Sequence, residues 1–284
     1  MKKVKIGGVP EHFNLAWYLT IKNGEYKAED INLRWQDYPD GTGAMCKGLR
    51  AGDIDMAVIL TEGIVKDIIA GNPSKIVQTF VQSPLIWGVH VANDSTFKVV
   101  EDLKGTKAAI SRYGSGSHLM AYINAENHHW NLDKDLNFEI INNLEGAVIG
   151  LTESKADYFL WEKFMTKPIV DQGVFRRISD CPTPWPCFVV AAREDFIENH
   201  SDELKTILEI INNTTADFKG IPSIDKTIAN RYNLQLEDVQ DWLNLTEWSQ
   251  ELIDEKTLTE IQEQLHKLGI ISKIVGYETL THSL

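Results

Sequence analysis

Leu49-Arg50-Ala51-Gly52-Asp53-Ile54-Asp55-Met56-Ala57-Val58-Ile59-Leu60 is the stretch whose reading decides the fold. Met45, Leu49 and Ala51 mark a short helix. Ile54 to Leu60 then makes an apolar run of strand length, interrupted only by Asp55. Glu153-Ser154-Lys155-Ala156-Asp157-Tyr158-Phe159-Leu160 echoes Ala51 to Val58. In each, a small or polar turn and an aspartate precede a buried strand, and a glutamate (Glu62, Glu162) follows. One chain thus holds two lobes of similar design.

Working outward, strand-like and helix-like stretches alternate. Lys3 to Val9 predicts a first strand closed by a Gly/Pro loop, and a helix starts near Asn14 as its cap. Ile31 to Tyr38 alternates apolar and polar residues through Ile31, Leu33 and Trp35, a strand period. Pro39-Asp40-Gly41-Thr42-Gly43 is a turn, Gly63 to Ala70 a helix stopped by Gly71-Asn72-Pro73, and Ile76 to Val81 a strand. The order β-α-β-α-β-α-β implies a parallel sheet with helices on both faces. Ligands on such sheets sit at the carboxyl ends of the strands, which directs attention to Pro10–Asn14, Asp40–Gly43, Thr61–Gly63 and Ser83–Leu85.

The middle third repeats the logic. Lys107 to Ser111, Phe138 to Ile141 and Asp157 to Trp161 read as strands. Arg112-Tyr113-Gly114-Ser115-Gly116-Ser117 opens a helix through Leu119, Tyr122 and Ile123, and Ala147 to Leu151 is a short helix. Past Cys187 to Ala192, a connecting strand, the chain turns helical and charged. There Leu258, Ile261, Leu265 and Leu268 form an amphipathic stripe closed by Gly269, best read as packing against a lobe.

Composition bounds the rest. The chain has 284 residues, 43% hydrophobic and 24% charged, as expected of a globular protein of about two domains. Its 28 Lys+Arg against 41 Asp+Glu give a net charge of −13, and the pI is near 5.1. A surface that negative repels nucleic acid and anionic membranes. No apolar run approaches bilayer length. Met1-Lys2-Lys3 begins like an export signal, but no apolar core of adequate length follows before Pro10. As written, the chain reads as cytoplasmic; it reads as periplasmic or membrane-associated only where an export signal has been removed. Cys46, Cys181 and Cys187 leave at least one thiol unpaired, and spacing alone does not decide whether Cys181 and Cys187 pair.

In order and spacing, several blocks resemble the substrate-binding proteins of the sulfonate, nitrate and thiamine-pyrimidine group. These are Val9-Pro10-Glu11-His12-Phe13, Gly41-Thr42-Gly43, Leu49 to Ala57, Val100 to Lys107 with Gly114-Ser115-Gly116-Ser117, and Lys155 to Glu162. The likeness runs through about residues 1 to 220. It implies a two-lobed periplasmic-binding-protein type II fold of class α/β, each lobe a mixed, mostly parallel sheet flanked by helices. Residues 1–90 and 188–284 would form lobe 1 and 91–187 lobe 2, with hinge strands near 86–92 and 187–192. It further implies one small organic solute clamped in the cleft by hinge closure, an ABC permease as partner, a monomer, and no cofactor. The C-terminal region carries no motif that matches the group.

The expected ligand contacts follow from these loops. Ser115, Gly116 and Ser117 offer hydroxyls and helix-start N–H groups to an anionic or polar end; the plain alternative is a Gly/Ser turn with a serine cap. Gly41 and Thr42 are the same device in the first lobe. Glu11, Glu62 and Glu162 would attract a cation or accept from a nitrogen heterocycle; solvated acids are the alternative, weakest for Glu162. His12, Phe13, Tyr113, Trp161 and Trp185 would form an aromatic wall for a planar ligand, whereas Trp17, Trp35, Trp87, Trp242 and Trp248 read as packing. Thr61, Ser83, Arg112 and Asn142 complete the expected set.

An enzyme reusing the same cleft stays open. No G-x-S-x-G elbow, Walker A, H-E-x-x-H or C-x-x-C occurs, and His128-His129 lacks a third ligand at metal-site spacing. The thiamine-pyrimidine synthases of similar fold use an active-site Lys and His with a Cys-rich iron segment, for which Cys181 to Phe188 is too sparse. An enzyme of the menaquinone-pathway type on this fold remains the alternative. A transcriptional effector domain is disfavoured, since no helix-turn-helix precedes the first strand.

Overall fold

Each aspartate of the two echoed stretches closes the same turn. The Lys5 amide donates to the Asp55 carboxylate at 2.8 Å, and the Asp55 amide returns a bond to the Lys5 carbonyl at 2.9 Å. Lys107 and Asp157 make the identical pair at 2.8 and 2.8 Å. Upstream, the Gly48 carbonyl takes the amides of Asp53 and Ile54, while the Gly150 carbonyl takes those of Lys155 and Ala156. A left-handed residue makes both reversals possible, Gly52 at φ 74° and Ser154 at φ 56°.

A computed structural model describes all 284 residues, Met1–Leu284. The chain divides into a discontinuous first unit, Met1–Ser83 with Trp185–Leu284, and a continuous second unit, Pro84–Pro184. The first opens with β1 (Lys2–Gly8), α1 (Leu15–Asn23), α2 (Glu25–Ala28), β2 (Ile31–Asp37), α3 (Thr42–Ala51), β3 (Met56–Leu60), α4 (Thr61–Ile69) and β4 (Ser74–Val81). The second holds β5 (Ile86–Ala92), β6 (Lys107–Ile110), α5 (Gly116–Asn127), β7 (Asn137–Ile140), α6 (Leu144–Thr152), β8 (Tyr158–Glu162), α7 (Lys167–Asp171) and β9 (Phe175–Pro182). The chain then returns through β10 (Phe188–Arg193), α8 (Glu194–Asn199), α9 (Ser201–Ala216), α10 (Ile224–Tyr232), α11 (Leu236–Leu245), α12 (Glu255–Lys267) and α13 (Tyr277–Leu280).

The first sheet has the order β2-β1-β3-β10-β4 and the second β7-β6-β8-β5-β9. In the first, β1 is parallel to β2 and β3, and β10 is antiparallel to both β3 and β4. In the second, β6 is parallel to β7 and β8, and β5 is antiparallel to β8 and β9. Each unit is therefore a mixed α/β sheet with four strands one way and one reversed strand in fourth place. The parallel sheet expected from the alternation is interrupted: β4 does not lie beside β3, because β10, arriving from far along the chain, separates them. In each sheet the carboxyl ends of the four like-directed strands still meet one edge.

Strand interiors are apolar on both faces, as helix-covered sheets require. Val4, Ile6, Met56 to Ile59, Val189 and Val190 are buried. The stripe on α12 buries Leu258, Ile261 and Leu265, and α12 packs on α4. The second unit has its own cluster around Ala109, Ala147, Leu151, Phe159 and Phe175.

The two passages between units are stitched locally. The Thr183 amide donates to the Leu85 carbonyl at 3.0 Å and its hydroxyl accepts from the Leu85 amide at 3.0 Å. In the first unit the Cys187 amide donates to the Ser83 carbonyl at 3.3 Å. Cys46, Cys181 and Cys187 are all buried free thiols, which settles the pairing left open above: no disulfide forms. No helix is long and apolar enough to cross a membrane.

Candidate functional site

At the carboxyl edge of the first sheet, β1 ends in Gly7-Gly8 because nothing larger fits. A Cβ on Gly8 would overlap the Trp35 indole, and one on Gly7 would sit 2.8 Å from Tyr38 and Ile54. The chain then turns through Val9–Glu11, pinned by the Asn14 side-chain amide donating to the Val9 carbonyl at 2.9 Å. This places Glu11 and a 3-10 turn, His12–Asn14, over the strand tips. His12 is fully buried, its ring 4.3 Å from Trp242, 4.8 Å from Phe13 and 6.0 Å from Tyr232. Burial lowers its pKa to about 3, so it is neutral. Burial also raises the Glu11 carboxyl to about 7. The Tyr232 phenol is pushed up by burial, with Asp37 and Glu11 adding to the effect.

Register brings β10 to the same edge. Phe188 lies opposite Leu60 on one side and Val81 on the other, so Trp185–Cys187 arrive beside the start of α4 and the end of β4. Three bonds sew this arrival to α4. The Thr61 hydroxyl donates to the Pro186 carbonyl at 2.6 Å, the Thr61 amide to the Cys187 carbonyl at 3.1 Å, and the Trp185 indole N–H to the Glu62 carboxylate Oε2 at 3.0 Å. Glu62 and Trp185 are each 5% exposed. Burial raises the Glu62 carboxyl to about 6, against the opposing pull of its own backbone N–H and of the indole. Phe13 stands 5.1 Å from Phe188, which joins the β1 loop to this corner.

The other first-unit candidates serve the frame. Gly41 (φ 71°) starts α3, and the Thr42 methyl fills the space that a side chain at Gly63 would need. The Ser83 hydroxyl accepts from the Glu247 amide at 3.0 Å, and its carbonyl holds Cys187.

In the second unit the β6 loop ties itself together. The Ser117 hydroxyl accepts from the Ser111 amide at 2.9 Å and meets that of Ser115 at 3.1 Å. Ser115 caps α5 by accepting from the His118 amide, and both serines are buried. Gly116 begins the helix. Arg112 and Tyr113 are exposed, Tyr113 at 63%, its ring edge-on to His118 and Phe138. Asn142 (φ 66°) is an exposed turn residue after β7. Trp161 is half-buried, stacked 5.2 Å from Phe159 on the second core. The Glu162 carboxylate is buried and accepts the Met165 amide at 2.6 Å. Glu62 and Glu162 are not equivalents: β8 ends on Glu162 where β3 ends on Leu60, and Glu62 lies in the first turn of α4.

Within the first unit, Glu11, His12, Phe13, Thr61, Glu62 and Trp185 gather on one edge. Within the second, Arg112 to Ser117 form one loop, with Trp161 and Glu162 on β8. The sequence reading missed Tyr232, Trp242 and Phe188 as neighbours of His12 and Phe13. Val239, Trp242 and Leu243 do show a buried helical face, but nothing local says which loop that face covers. No group of three His, Cys, Asp or Glu side chains is arranged to hold a metal.

Comparison with known proteins agrees with this architecture. Residues 87–181 match the family model described as Ca3427-like PBP. The Candida albicans CA3427 gene product, described as having the generic periplasmic binding protein fold, is 24% identical. The alignment covers 97% of this chain and 92% of that one, with a TM-score of 0.87. The alkanesulfonate-binding protein SsuA from Xanthomonas axonopodis pv. citri, bound to MOPS, is 14% identical over 100% and 99% of the two chains, TM-score 0.85. PhnD1 from Prochlorococcus marinus, in complex with methylphosphonate, is 14% identical over 95% and 99%, TM-score 0.65. A search of curated proteins finds no match. Mixed five-stranded sheets with one reversed strand each, and relatives aligned over nearly their full length, lead to one conclusion: the chain has the type II periplasmic-binding-protein fold, similar to that of the SsuA sulfonate-binding proteins and, over residues 87–181, to the Ca3427-like PBPs.

Proposed function

We propose that the chain binds one small organic solute without altering it, as the substrate-binding component of an ABC-type importer. The observation that carries this reading is the Glu62 carboxylate, buried at the edge of the first sheet with an indole N–H as its side-chain partner. A buried carboxylate without a cation costs several kcal/mol unless something completes it, and a ligand N–H does so. The sulfonate and phosphonate proteins of similar fold hold strong acids; two desolvated carboxyls, Glu11 and Glu62, oppose such a ligand here. The solute is therefore a nitrogen-bearing aromatic molecule, with the half-buried Tyr232 supplying flat apolar surface.

The test is a thermal-shift panel of 4-aminopyrimidine, benzamidine, methanesulfonate and methylphosphonate, followed by chromatography of the incubated ligand. A saturating nitrogen ligand at 100 times its Kd adds about 2.7 kcal/mol, a rise of roughly 5 to 10 °C for a chain of this size. It is recovered unchanged. Stabilisation by methanesulfonate alone defeats the nitrogen reading, and conversion of the ligand restores the enzyme alternative.

A further inference from the structure

We propose that Trp185 is a positioning residue: its indole N–H holds one oxygen of Glu62 so that the other is presented to an N–H of the ligand. This rests on the binding role proposed above but assigns Trp185 a task other than covering a planar ring. At 5% exposure the indole has almost no face to offer a ligand. What it does offer is a donor 3.0 Å from Glu62 Oε2.

The local chain is built to fix that donor. Pro184 and Pro186 flank Trp185, restricting the backbone on both sides. The two Thr61 bonds, to the Pro186 and Cys187 carbonyls, lock the next two residues onto the same helix turn that carries Glu62. Thr61 and Cys187 are fully buried, so the corner does not slide. No charge does this work instead. Arg50 on α3 is engaged with Asp67 at 3.0 Å and Arg193 of β10 with Asp195. Neither these, nor Lys66 on α4, nor Glu278 on α13, figures among the influences on the Glu62 carboxyl; burial, its own N–H and Trp185 do.

The experiment begins with the wild-type protein. The Trp185 indole resonance, followed by 15N NMR, titrates with the same midpoint as the Glu62 side-chain carbon, and Glu62→Gln abolishes that dependence. An indole signal blind to Glu62 overturns the proposal. In Trp185→Phe the Glu62 midpoint moves up by at least about half a pH unit, and Trp185→His, which keeps a ring N–H, moves it back. An unchanged midpoint in a folded Trp185→Phe also overturns it. Binding of 4-aminopyrimidine weakens about tenfold in Trp185→Phe, and that loss disappears in the Glu62→Gln background. A loss that persists there assigns Trp185 a purely structural role. If the probe fails to bind at all, the functional reading falls, while the NMR titrations still decide the positioning.

Discussion

His12 and His90 are imidazoles that the fold keeps neutral, and Glu11 and Glu62 are carboxyls that it keeps reluctant to ionise. Burial lowers His12 to about 3 and His90 to about 4, whose ring nitrogen meets the Thr166 hydroxyl at 2.9 Å. Below about pH 6.5 the unfolded chain takes up these protons and the folded one does not. Each imidazole therefore removes up to about 1.4 kcal/mol of stability per pH unit as pH falls. The two carboxyls act oppositely: between pH 7 and 4.5 the folded state holds more protons, so acidification through that window favours folding. Expected from urea unfolding across pH is a shallow profile from 6.5 to 4.5 and a steep loss below, once the carboxyls no longer offset the histidines. Glu62→Gln removes part of that offset, so its profile falls already above pH 4.5; an unaltered profile contradicts the assignment.

At the scale of elements, two predictions concern how strands end. Gly8→Ala drives a methyl group into the Trp35 ring and is expected to lower stability by about 2 kcal/mol, the usual cost of overpacking, read as a lower urea midpoint. Ser115→Ala removes the side-chain cap of α5 and is expected to cost about 1 kcal/mol; its effect on ligand affinity separates capping from ligand contact. These elements were legible because their determinants are local: a glycine pair, a serine before a helix, an aspartate that closes a turn. The place of β10 between β3 and β4 was not, since Phe188 pairs with Leu60 although the whole of the second unit intervenes in the chain. For the same reason Trp242 was readable as a buried helix face but not as the neighbour of His12. Ser115, Ser117 and Glu162 were singled out for their chemistry; their hydrogen bonds, which no spacing reveals, spend much of it on their own loops.

For the whole molecule, the repeated turn is the deepest regularity. Lys5 with Asp55 and Lys107 with Asp157 are separated by the same 50 residues, and Ile6 opposite Met56 corresponds to Ala108 opposite Tyr158. The loop after β1 that carries Glu11 and His12 is thus the counterpart of the loop after β6 that carries Arg112 and Tyr113. Yet one is roofed by aromatic rings and the other leaves Tyr113 open to solvent.

The paired bonds of Leu85 with Thr183, and the bond from the Cys187 amide to the Ser83 carbonyl, mean that each unit fastens its own cut ends side by side. Residues 84–184 then amount to a cassette whose entry and exit share one doorway. Splicing Ser83 to Trp185 through two glycines is expected to give a shortened chain that melts cooperatively and retains its near-ultraviolet dichroism. The excised cassette, for its part, is expected to be transplantable into a surface turn of an unrelated host.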